Sequence, residues 1–224
     1  MSSDNPSGSD HPGVVIFTGP SLHPREAARL LDATYLPPVK RGDLTRFIAS
    51  KPRIVGIIDG EFYQSLAVTP KEVLALLEAG VAVYGAASMG ALRAVELHRY
   101  GMIGVGSVFR LFRRGVLDAD DEVALAYSNE TYRAVSEPLV NTRYALRAAV
   151  RRGILTRGEA AEIVSAVKRF YFPERTRQLL LSIARKAVGS ERADKLREFL
   201  ATGAPNVKNR DARLMIERIR GDIG

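Results

Sequence analysis

Val81-Ala82-Val83-Tyr84 runs into Gly85-Ala86-Ala87-Ser88-Met89-Gly90, and a run of strong helix formers, Ala91 to Leu97, follows at once. Strand, sharp turn and helix in that order lift the Ser88 hydroxyl to the carboxyl end of a sheet. There it lies beside helix N–H groups that lack intrahelical acceptors and stabilise an anion. Ala86-Ala87-Ser88-Met89-Gly90 is one residue from the G-x-S-x-G elbow, Ala86 standing at the first glycine. In that elbow small flanking residues permit a tight, strained turn, and the next N–H, here that of Met89, becomes an oxyanion donor with Gly90 beside it. The plainer alternative is that Ser88 is an ordinary helix N-cap.

A nucleophilic serine needs a base. The chain has no cysteine and three histidines, His11, His23 and His98. That excludes disulfides, thiolate metal sites and persulfide relays, and leaves little from which to build a Ser-His triad. The expected base is a lysine whose charged form is disfavoured by burial or a neighbouring cation. Lys71, in the first turn of an expected helix, and Lys40, beside Arg41, are the two candidates. Asp59-Gly60-Glu61 places two carboxylates at the end of the clearest strand, where they can hold a cation, act as acid and base, or shape a turn. Asp118, Asp120, Asp121 and Glu122 read as carboxylates favouring a helix N-terminus rather than a metal site. Gly101-Met102-Ile103-Gly104-Val105-Gly106 follows a helix, so the dinucleotide reading of its glycines fails.

Several elements must position these groups. Val14–Phe17 reads as a buried strand ending at Thr18-Gly19-Pro20-Ser21, followed by a helix over 24–32 and an extended Tyr35-Leu36-Pro37-Pro38. A short helix over 44–49 takes Asp43 as cap, and 54–58 is an all-apolar strand. A helix over 70–78 is capped by Thr69, carries proline at N1 and stops at Gly80. A strand over 81–84 and a helix over 89–99 follow. The fold class is α/β: a mostly parallel sheet with flanking helices in the N-terminal half, its site beyond the carboxyl ends of the strands. After Gly106 the chain reads as helices over 120–129, 139–152, 157–170, 175–188, 193–200 and 208–220. The expected organisation is a disordered tail over 1–12, an α/β core over 13–106 carrying the site, and a helical region over 107–224 packed on it.

Nearly half of the 224 residues are apolar, enough for a core, and no run reaches the ~18 apolar residues of a membrane helix. Residues 1–12 have no basic or apolar region of a targeting signal, so the expected location is the cytoplasm. The net charge of +8 is uneven: residues 1–112 hold 11 Lys/Arg against 10 Asp/Glu, the remainder 22 against 15. A basic second half suits an acidic partner. With no DNA-binding motif and little aromatic interleaving, nucleic acid is not the expected one.

Separated blocks resemble one family. Thr18-Gly19-Pro20-Ser21-Leu22, Pro37-Pro38 leading into Arg41-Gly42-Asp43-Leu44, Ile57-Ile58-Asp59-Gly60, Lys71-Glu72, Gly85 to Ala94, Gly101-Met102-Ile103-Gly104 and Asp120 to Ala124 resemble, in order and spacing, the core of the TfuA-like proteins over about 14–145. Tyr171 to Thr176 is a weaker echo. One departure is Thr69-Pro70 before Lys71, where the family often has histidine. The resemblance implies a partner of a YcaO enzyme, which uses ATP to activate peptide amides. It implies release of sulfide for thioamide formation from a thiocarboxylated, ubiquitin-like carrier of the ThiS type, by a Ser–Lys hydrolase in which Ser88 matches the serine; Lys71 is the first choice for the lysine, and Lys40 stays open. Met89, Gly90, Arg93, Thr18, Gly19, Ser21, Lys40, Asp59, Gly60 and Glu61 would then bind substrate or the oxyanion, with no metal or cofactor. The peptide substrate would be met through the YcaO enzyme, and no membrane is involved. The competing expectation is a non-catalytic adaptor that raises the YcaO enzyme's affinity for its peptide.

Overall fold

The computed structural model describes residues 13–62 and 67–224. The expected tail over 1–12, with His11, lies outside the described residues. In chain order the elements are β1 Val14–Phe17, α1 Pro24–Ala27, β2 Thr34–Leu36, α2 Arg46–Ser50, β3 Ile54–Ile57, α3 Pro70–Glu78, β4 Ala82–Ala86, α4 Met89–Leu97, β5 Ile103–Val105 and α5 Gly106–Arg113. The helices α6 Leu139–Arg151, α7 Arg157–Lys168, α8 Arg177–Val188, α9 Ser190–Thr202 and α10 Val207–Ile223 follow.

The five strands form one parallel sheet in the order β2-β1-β3-β4-β5. All four residues of β1 and all four of β3 are buried, as a parallel sheet covered on both faces requires. Alternate residues serve opposite faces. Val15, Phe17, Val55, Ile57 and Val83 pack with Val73 and Leu76 of α3 and Met89, Ala91 and Ala94 of α4. Val14, Ile16, Ile54, Tyr84 and Ala86 face Ala27 and Leu31 near α1, and Ala212, Met215, Ile216 and Ile219 of α10. The last helix of the chain therefore returns to cover the sheet. α6 to α9 enclose a separate core around Leu146, Ile163, Leu180, Leu196 and Phe199.

The parallel α/β sheet and the helical second half agree with the reading from sequence. α3 is built as its residues specify: the Thr69 hydroxyl accepts from Glu72 N, and the Glu72 carboxylate accepts from Thr69 N, closing a capping box. Gly80 takes φ +87° after the helix.

Several local expectations are corrected. The helix over 24–32 is one turn, because the Tyr35 hydroxyl donates to the carbonyls of Ala27 and Leu31 and draws the chain into β2. Thr45, not Asp43, precedes α2, and the Asp43 carboxylate accepts from Lys40 N to close a turn instead. The helix over 120–129 is a single 3-10 turn at Asp120–Glu122, because Arg175 and Arg143 draw the Asp121 and Glu122 carboxylates away. The glycine-rich segment after α4 is β5 opening into α5. Gly104 leaves room for the Phe109 ring, which would lie 2.3 Å from a Cβ. It is still no dinucleotide site, because the Asp211 carboxylate already accepts from Val108 N at 2.7 Å and fills the N-terminus of α5.

α10 is thus predicted to be integral to the sheet's core. Ile216→Ala, at a fully buried position, should cost about 2–5 kcal/mol in urea unfolding. Leu214→Ala on the outer side, 39% exposed, should stay within about 0.5 kcal/mol.

Candidate functional site

In a sheet ordered 2-1-3-4-5, connections leave β1 and β3 in opposite directions, and a crevice opens beyond their carboxyl ends. The loop after β1, Thr18 to Ser21, and that after β3, Asp59 to Glu61, meet there. Asp59 is buried, and its Oδ2 accepts from the N–H groups of Gly19 and Ser21, each at 2.9 Å, while its Oδ1 accepts from Ser21 Oγ at 2.6 Å. The donors that such a crevice offers to a ligand's anion are here engaged by an internal carboxylate. Buried Thr18 donates its hydroxyl to Leu22 O at 2.6 Å. Gly19 admits Pro38, whose Cγ would lie 2.7 Å from a Cβ, and Gly60 admits Met89 at the same distance. Both glycines are present for close approach.

The β4–α4 turn is strained as an elbow is. Ala87 has φ +63°, Ser88 has φ −130° and ψ −121°, and Ser88 N donates to Ala86 O at 2.7 Å. Such a φ at a residue with a Cβ costs on the order of 1 kcal/mol. The backbones of β3, β4 and α4 meet without side chains between them: a Cβ on Gly90 would sit 1.7 Å from Ile57 O, and one on Gly85 2.1 Å from Gly90 O. The Ser88 side chain does not cap α4, so the N-cap alternative lacks its hydrogen bond. Its hydroxyl has no partner among the described residues, and Ser88 is 2% exposed. Gly90 N–H is engaged with Ile58 O at 3.3 Å, whereas the Met89 N–H has no acceptor among the described residues.

Arg93 lies one turn further along α4. Its guanidinium pairs with Glu96, its Nε is buried without a hydrogen-bond partner among the described residues, and it lines a cavity of about 190 Å³ with Met89, Leu92 and Asp120. Glu61 accepts from the Tyr127 hydroxyl at 2.9 Å, and burial followed by this bond pushes the phenol above its ordinary range. Tyr132 stacks near Tyr127 and His23 and reaches Gly19, so the segment around 127–132 roofs the crevice. Lys71, on the first turn of α3, and Lys40, after β2, are both exposed and make no ion pair among the described residues.

One buried charge near the crevice escaped the reading from sequence. Lys208, in the first turn of α10, is fully buried, and Nζ donates to Val123 O at 2.7 Å. Burial lowers its pKa to about 8, opposed by the negative charge of Asp59. Its neighbour Asn209 donates to Ser21 O at 3.0 Å, which ties the start of α10 to the crevice. The signal was present: Lys208, Ala212, Met215 and Ile219 share one helical stripe, so the lysine lies on the apolar face.

A strained serine turn at the carboxyl edge of a five-stranded parallel sheet, near a crevice that tyrosines roof, marks an α/β protein with a candidate site at the strand ends. The family described as TfuA-like protein matches residues 59–176, more than half of the chain, and the chain belongs to that family. The matched span contains Asp59, Lys71 and the Ser88 elbow and ends before Lys208. No curated protein matches the chain.

Lys208 binds fewer protons folded than unfolded between about pH 8 and its unperturbed value near 10.5, so its contribution to stability rises with pH through that window. Relative to Lys208→Met, the wild-type protein is predicted to gain on the order of 2 kcal/mol between pH 7 and pH 10 in urea unfolding. A constant difference across that range would show an amine that stays charged.

Proposed function

We infer that this protein is a hydrolase releasing sulfide from a thiocarboxylated carrier protein of the ThiS type, for a YcaO enzyme that thioamidates a peptide backbone. The observation that carries this reading is the Ser88 elbow: a strained turn with a hydroxyl and, beside it, a Met89 N–H, both without partners among the described residues. Membership of the TfuA-like family supports the substrate class and the YcaO partnership.

The thiocarboxylate is anionic and a poor electrophile, so its charge must first be offset. The α4 N-terminus, Arg93 and Lys40 are the groups that would do so. Ser88 Oγ then attacks the carbonyl carbon while a lysine takes its proton, and the developing oxyanion lies at the Met89 N–H. The C–S bond breaks, and the lysine's proton goes to the sulfur, which leaves as hydrosulfide. Water hydrolyses the resulting serine ester, with the lysine as base, giving the carrier carboxylate and free Ser88. With no cysteine in the chain, sulfur is handed on as sulfide. Lys71, in the block Lys71-Glu72 that resembles the family, is the first choice for that lysine and Lys40 the alternative. Burial, which favours the neutral amine, adds Lys208 as a further candidate.

The near-complete burial of Ser88 favours a second reading, in which the elbow is architectural and the protein is an adaptor raising the YcaO enzyme's affinity for its peptide. Sulfide release from a thiocarboxylated carrier decides between them. Ser88→Ala should reduce release by a factor of about 10² or more, with unchanged circular dichroism. Among Lys71→Ala, Lys40→Ala and Lys208→Met, one should approach that loss and so name the base. Equal release by wild type and Ser88→Ala would leave the adaptor.

A further inference from the structure

The helices α6 and α7, joined by residues 152–156, pack together and leave between them a groove of about 770 Å³. Its floor is aliphatic, with Leu146 and Val150 from α6 and Ala160, Ala161 and Val164 from α7. Its walls are cationic, and no Asp or Glu lines it. Two of the five cations are already neutralised at one end: Glu122 accepts from Arg143 at 2.7 and 2.9 Å, and lies 3.7 Å from Lys168. The other three, Arg147, Arg151 and Arg157, are exposed and have no carboxylate partner among the described residues.

On helices α8, α9 and α10 the arrangement differs. Arg177, Arg185, Arg192, Arg213 and Arg218 each pair with a carboxylate. Along α6, by contrast, Arg143, Arg147 and Arg151 recur at every fourth residue, a spacing at which like charges destabilise a helix. Aliphatic residues between unneutralised arginines on two adjacent helices form a seat for a third element bearing the complementary pattern.

We propose that the α6–α7 groove binds an acidic amphipathic helix of a partner protein, with its apolar face on Val150, Ala161 and Val164 and its carboxylates on Arg147, Arg151 and Arg157. Arg147 and Arg151 are one turn apart, about 6 Å along the axis, which matches carboxylates at i and i+4 on a helix laid beside α6. The small side chains of Ala160 and Ala161 let that helix approach closely, as in helix-in-groove recognition. A nucleic acid fits the charge but not the floor, where the groove offers no aromatic ring for base stacking. This surface lies outside the serine site, so it stands whether or not Ser88 is catalytic.

The test uses fluorescence anisotropy with three labelled peptides of about 16 residues. One is an amphipathic helix with leucines on one face and glutamates flanking it, one has the same composition scrambled, and one has lysine in place of glutamate. The acidic amphipathic peptide should bind wild type at least about tenfold more tightly than either control. It should lose at least about tenfold both on Arg147→Glu/Arg151→Glu/Arg157→Glu and on Ala161→Trp, which keeps the charge and fills the floor. These positions are on the surface, and circular dichroism checks the fold of each variant. Equal binding of the scrambled peptide, unchanged affinity in either variant, or no binding to wild type would overturn the proposal. So would tighter binding of a DNA duplex, which would make the groove a nucleic-acid surface.

Discussion

A parallel sheet whose strands are apolar on both faces cannot leave either face in water, and here the second face waits for the far end of the chain. Ile16, Ile54 and Tyr84 are covered by Ala212, Met215, Ile216 and Ile219 of α10. With roughly 25 cal/mol gained per Å² of apolar surface removed from water, docking of this helix is a condition of the sheet. It carries the start of α10 to the sheet's carboxyl edge. Asp211 meets the N-terminus of α5, Asn209 meets Ser21, and Lys208 is sealed against Val123. The edge that carries the candidate site is completed by the same contact that completes the core.

Charge at that edge is arranged by internal partners. Asp59 occupies the donors of the β1 loop, which locks the two loops at the switch point to each other. Burying a carboxylate is tolerable because three hydrogen bonds replace its hydration. The Lys208 amine has one hydrogen-bond acceptor among the described residues and a carboxylate only at longer range, so burial weakens its hold on the proton. An amine whose pKa burial lowers is the physical form of a catalytic base, and equally of a buried strut.

Beyond the sheet, part of the positive charge in the second half is neutralised internally. Arg143 and Arg175 reach across to Glu122 and Asp121, and most arginines of α8 to α10 pair with carboxylates. In the α6–α7 groove, three arginines without a carboxylate partner among the described residues stand beside aliphatic side chains, so charge and apolar surface coincide there.

The strand positions of β1, β3 and β4, the capping box of α3, and helices α6 to α8 were legible because each is fixed by periodicity and local chemistry. The tight turn at Ser88 was legible too, from small residues between an apolar run and a helix-forming run, but the sequence left it open whether the serine caps the helix. β5 was not legible, because Ile103-Gly104-Val105 is too short to declare itself and is a strand only because β4 lies beside it. The acidic 118–122 segment reads as a helix start, yet Arg143 and Arg175, distant in sequence, decide its shape. Asp59 was legible as a polar strand end but not as the clasp of the β1 loop. Lys208 was hidden for the same reason: a lysine in a helix is an exposed cation until packing removes the water around it. The sequence by itself determined the elements and the serine turn, since these depend on neighbours along the chain. The tertiary structure alone decided which charges are buried and which meet, because desolvation and pairing depend on neighbours in space.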